Sequence, residues 1–186
     1  MSWFKKRFGS HRPEKTPASD SPPELAAKLL EAEKFADQLD AYLLSDRLFW
    51  QISVETPLGT RQPKMTLGSL YERIQELNAH ANELGANDRQ RLATIERAWE
   101  EAQRRFPAQW QEKLRREFKS YMHNWTYFLE QRASNPERWA QDYKFEVRNR
   151  ERARLILQIL GPEAAADLAR EYETVEETLD RPPEDA

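Results

Sequence analysis

Apolar residues recur at intervals of three and four along five separate stretches of this chain, most of them closed off by proline or glycine. That period puts the apolar side chains on one face of an α-helix. Five such faces can leave water only by covering one another. The sequence therefore predicts an all-α fold, a single and mostly antiparallel helical bundle of five or six helices.

The first stripe is Leu25, Leu29, Ala32, Ala36, Leu39 and Leu43, with Ser21 as cap and Pro22 and Pro23 in the first turn. The second runs from Leu67 through Leu70, Ile74, Leu77 and Ala81 to Leu84, and Gly85 stands where a C-terminal cap belongs. Asn87 with Gln90 three later reads as a capping box for the third helix, striped by Leu92, Ile95, Trp99, Ala102 and Phe106. A short link between these two predicts an antiparallel helix hairpin.

Pro107 opens a helix to about Ala133 carrying Trp110, Leu114, Phe118, Tyr121, Trp125 and Phe128. Such a stripe reads first as a core face, and otherwise as a dimer interface or a stacking platform for bases. Ser134 or Asn135 caps a fifth helix that begins at Pro136 and ends at Leu160, before Gly161 and Pro162. The last helix, Glu163 to about Asp180, repeats Ala165, Leu168, Tyr172, Val175 and Leu179.

Between the first two stripes the text is ambiguous. "LFWQISVETP" is read as a continuation of the first helix to about Val54, with a short extended piece as the alternative. "ETPLGTRQPKMT" then breaks the helix and reads as a connector strapped down by Leu58 and Met65, whose Arg61 and Lys64 could meet a partner.

Three units follow: a disordered basic arm at 1–21, the bundle at 22–180, and a loose acidic end at 181–186. In the arm, Trp3, Phe4 and Phe8 beside Lys5, Lys6 and Arg7 would suit a short amphipathic turn in peripheral contact with an anionic membrane. The formal charge of −3 is unevenly spread. Residues 104–154 hold 13 Lys or Arg against 7 Asp or Glu, net +6, and residues 162–186 hold 2 against 9, net −7.

Much site chemistry is excluded. The chain has no cysteine, so disulfides, thiolate metal sites and thiol nucleophiles are ruled out. His11, His80 and His123 have no metal-ligand spacing, and with five glycines there is no phosphate loop. No metal and no cofactor is expected. No apolar run resembles a signal peptide or approaches the roughly 18 residues of a membrane span, and a cytoplasmic location is expected.

The remaining candidates are cationic. In "DYKFEVRNRERARLIL", Arg148, Arg150 and Arg154 fall on solvated sides with Glu146 and Glu151 as helical partners, whereas Asn149 and Arg152 fall beside an apolar face centred on Phe145, Ala153, Ile156 and Leu160. Near a core face they must either bond a neighbouring helix or line a cleft, where Arg132 and Arg138 would join them to hold an acidic ligand. Arg104, Arg105, Lys113, Arg115, Arg116 and Lys119 interleave with rings as a phosphate-binding helix would.

Absence of catalytic motifs makes a non-enzymatic interaction or scaffold module the leading expectation, with a protein partner or a homo-oligomer as its object. Nucleic-acid binding through residues 104–119, and an acidic-ligand or enzyme site near Arg152, are the alternatives.

Overall fold

The computed structural model describes residues 21–131 and 136–179, except for the side chains at 136, 138, 139, 178 and 179. Residues 1–20 of the basic arm with their Trp3 to Phe8 cluster, Arg132, the Arg138 side chain and the acidic end lie outside the described residues. Within them the chain is an all-α bundle of six helices: α1 Pro23–Leu44, α2 Leu67–Ala79, α3 Ala86–Arg105, α4 Pro107–Glu130, α5 Pro136–Leu160 and α6 Ala166–Leu179.

α4 is the central strut and touches all five other helices. Its ring stripe is the core face: Trp110, Leu114, Phe118, Tyr121, Trp125 and Phe128 are all buried. Burying each such side chain contributes about 1.5–3 kcal/mol. Trp110 meets Trp99 of α3 edge-on at 4.4 Å, Trp99 stacks on Tyr71 of α2 at 5.4 Å, and Trp125 packs against Tyr143 of α5. Among the described residues, no helix is long and apolar enough to cross a membrane.

The first helix stops at Leu44 rather than continuing to Val54. Tertiary contacts hold the segment that follows. Lys113 of α4 is buried, and its ammonium donates to the Arg47 carbonyl, sits 3.4 Å from the Ser45 hydroxyl and lies 4.5 Å above the Tyr42 ring. The Tyr42 hydroxyl donates to the Leu48 carbonyl at 2.9 Å. Two carbonyls of the segment after the helix are thus met by side chains of α4 and α1.

Residues 50–65 then form a β-hairpin, where the expected reading was helix followed by connector. β1 Trp50–Gln51 pairs antiparallel with β4 Lys64–Met65, and β2 Val54–Thr56 pairs with β3 Gly59–Arg61. Its tip is a sequence-coded turn: Pro57 and Leu58 take the corner, Gly59 adopts φ +99°, and the Thr56 hydroxyl donates to the Gly59 carbonyl and accepts from the Leu58 N–H. Met65 straps the hairpin to the core as expected, but Leu58 is exposed.

Other local expectations shift for identifiable reasons. Gly85 is the N-cap of α3 and not the C-cap of α2, and no Asn87 capping box forms. Ser21, instead of capping α1, accepts from the Gly85 N–H at 3.1 Å and donates to the buried Asp88 at 2.5 Å. Arg91 ties Asp88 to Glu33 of α1, so α3 packs mainly along α1 instead of pairing tightly with α2. Phe145 points to solvent, while Ala153 and Ile156 are buried as placed. Arg150 bonds Glu176 of α6 rather than its own helix, and this fork raises its pKa.

Candidate functional site

The register of the hairpin decides which of its side chains face outward. Trp50 pairs with Met65 and Gln51 with Lys64, and Met65 is buried. Alternation then puts Lys64, with Phe49 one residue ahead of β1 and Thr66 at the start of α2, on the opposite face. That face forms one wall of a cleft of about 630 Å3, bounded also by Ser69 and Arg73 of α2, Ser120, Tyr121 and Asn124 of α4, and Arg152 of α5. Three of its lining residues are cationic, and none is Asp or Glu.

Part of this lining is committed to holding the fold. Thr66 and Ser69 form a reciprocal capping box at 2.9 and 3.0 Å. Arg73 grips the buried Glu31 of α1 through Nε and Nη2 at 2.9 and 2.7 Å, donates from Nη1 to the Ser69 carbonyl, and lies 5.0 Å over the Phe35 ring. Glu31 also accepts Arg61 of β3 at 3.2 Å, which latches the hairpin to the bundle. One carboxylate facing two guanidiniums leaves this triad with a net positive charge.

The rest is unbonded or loosely held. Among the described residues, no hydrogen bond or ion pair engages the Lys64 ammonium, the Ser120 hydroxyl or the Asn124 amide. Arg152 lies 5.7 Å over the Tyr121 ring, makes a long 3.7 Å contact with Glu72, and keeps a buried Nε with no hydrogen-bond partner. It is half-exposed, unlike a guanidinium locked into a carboxylate fork.

Behind the wall sits a buried carboxylate. Glu117 of α4 is fully buried and accepts the Gly68 N–H at 3.1 Å and the Tyr121 hydroxyl at 3.0 Å. It therefore rests on the N-terminus of α2, where unsatisfied N–H groups favour negative charge. Burial nonetheless pushes its pKa up, against the lowering effect of bonds from Thr66, Gly68 and Tyr121 and of the Arg152 charge. A Cβ on Gly68 would come within 2.6 Å of Glu117 Oε1 and 2.9 Å of Ile156, so glycine is what lets α2 approach α4 and α5 this closely.

The candidate cationic residues of the sequence are dispersed. Arg152 lines the cleft, but Asn149 does not, because its amide donates to Glu146 at 2.7 Å within α5. In the basic series Lys113 is buried, Arg105 pairs with Asp40, and Arg115 bonds Asp167 and the Ala164 carbonyl. Arg116 donates to the Asp46 carbonyl and Arg104 to its own helix, while Lys119 is exposed. These six therefore do not form one exposed surface.

Ser120, Tyr121 and Asn124 were not foreseen as site residues. Their signal was legible: Ser120 and Asn124 are polar, one helical turn apart, and flank the ring stripe at Tyr121 and Trp125. Lys64 was foreseen only as a partner-facing residue of a loop. Compared with protein-family models, curated proteins and solved structures, the chain matches none.

Proposed function

We propose that this chain is a binding module whose working surface is the cleft between the hairpin, α2, α4 and α5, and whose ligand presents an acidic group. The observation that carries this reading is the convergence of three side chains unbonded among the described residues, Lys64, Ser120 and Asn124, with an Arg152 that reaches the Glu72 carboxylate only at 3.7 Å. Lys64, Ser120, Asn124 and Arg152 come from three separate elements, yet they open on one cleft that has no carboxylate in its lining. Carboxylates elsewhere on this acidic chain answer most buried or half-buried arginines, including Arg73, Arg91 and Arg150. An anion in the cleft would meet charge-assisted donors held on rigid elements, which is how such groups bind with little ordering cost.

The test is calorimetric titration with inorganic pyrophosphate at several salt concentrations. Binding should weaken as salt rises. Lys64→Glu and Arg152→Glu should each weaken it about tenfold or more, since a hydrogen bond to a charged group is worth about 1.5–3 kcal/mol. Arg97→Glu, on the exposed side of α3 and outside the lining, should leave it unchanged. No salt-dependent binding, or an equal loss in the Arg97 variant, would remove the proposal.

A further inference from the structure

Resting on the acidic-ligand reading, we infer that the cleft takes a phosphate joined to a flat heteroaromatic ring, the chemistry of a nucleoside phosphate. The cleft volume of about 630 Å3 falls in the range of small-molecule sites, so there is room for a ligand larger than a bare anion. What the lining offers that larger ligand is unequal. Cations and hydroxyls dominate, and the large apolar surface open to solvent is the Phe49 ring, 43% exposed at the rim. The other ring of the lining, Tyr121, is buried and covered by the Arg152 guanidinium.

A lone exposed ring on a flexible loop would mean little. Phe49 is not so placed. The next residue, Trp50, is half-buried, sits 6.3 Å from the Tyr42 ring and pairs with the fully buried Met65. The preceding carbonyl, that of Leu48, accepts the Tyr42 hydroxyl. Both flanks of Phe49 are thus fixed to α1, and its ring is presented on the cleft side with Lys64 and Thr66.

A solvent-open ring beside cations is what a stacked base followed by a phosphate requires, and stacking tolerates any base because each has a π face. Asn124, exposed and unbonded at the same cleft, carries both a donor and an acceptor for the edge of such a ring. Lys64 and Arg152 would meet the phosphate oxygens.

Adenosine monophosphate, ribose 5-phosphate and inorganic phosphate, titrated into the full chain by calorimetry at low salt, separate the two ideas. Adenosine monophosphate should bind about tenfold or more tightly than ribose 5-phosphate. Phe49→Ala and Phe49→Leu should both erase that difference while leaving affinity for ribose 5-phosphate unchanged, with circular dichroism melts confirming that each variant folds. Equal affinity for the two ligands, or a difference that survives in both Phe49 variants, would overturn the ring while leaving the anion site standing. Failure of all three to bind would overturn both readings.

Discussion

At the scale of single residues, Glu117 is the most informative position. A carboxylate with no exposed surface faces Gly68 of α2 and its N-cap Thr66, Tyr121 of α4 and the Arg152 charge of α5, with the buried Tyr42 of α1 also in its field. Burial raises its folded pKa above the ordinary glutamate value. The folded state then holds the proton more tightly than the unfolded chain, so its stabilising effect is complete below the unfolded pKa of about 4.3 and is lost as pH rises through the raised folded value. Glu117→Gln should flatten that decline. Urea midpoints of the two proteins, measured from pH 4 to pH 8, should converge or cross as pH rises, whereas parallel profiles would place the titration elsewhere.

At the scale of elements, the hairpin shows how a short segment escapes helical patterning. β-Branched and aromatic residues in "FWQISV" fit a pleated ribbon, yet a two-stranded ribbon alone is at best marginal in water. It persists because Met65, Ile52 and Val54 enter the core and Arg61 reaches the buried Glu31. The turn contributes separately through Gly59. An added Cβ there would touch nothing within 4 Å, so Gly59→Ala isolates the backbone cost of φ +99°. The expected loss is about 1–2 kcal/mol by chemical denaturation, with helical circular dichroism unchanged. A loss near zero would mean the tip relaxes into another turn.

At the scale of the whole molecule, ion pairs tie distant segments together more than they line a surface. Among the described residues α6 is held by two such ties, Arg150 to Glu176 from α5 and Arg115 to Asp167 from α4, together with the buried Ala165 and Leu168. Both ends of the Arg150 pair are partly solvated, so its removal should cost about 1 kcal/mol. Arg150→Ala should accordingly speed amide hydrogen exchange in the second half of α6 while leaving the α1–α3 amides unaffected. Uniform acceleration across the bundle would show that α6 does not open on its own.

The helices themselves were legible because their cause is local: an apolar stripe at helical period, with proline and glycine at its ends, specifies a face that must be buried whatever the partner. The buried rings of α4 and the stop at Leu160 follow from that alone. The end of α1 at Leu44 was not legible, because the segment that leaves it is held at the Arg47 carbonyl by Lys113, a side chain more than sixty residues away. Nor could spacing tell which cations are answered by carboxylates. Arg150 and Arg152 are two residues apart, yet one is forked to Glu176 while the other lines the cleft and reaches Glu72 only at 3.7 Å. Sequence by itself determined the faces; tertiary structure decided the cleft, because charge compensation depends on distance in space and the nearest opposite charge lies on another helix.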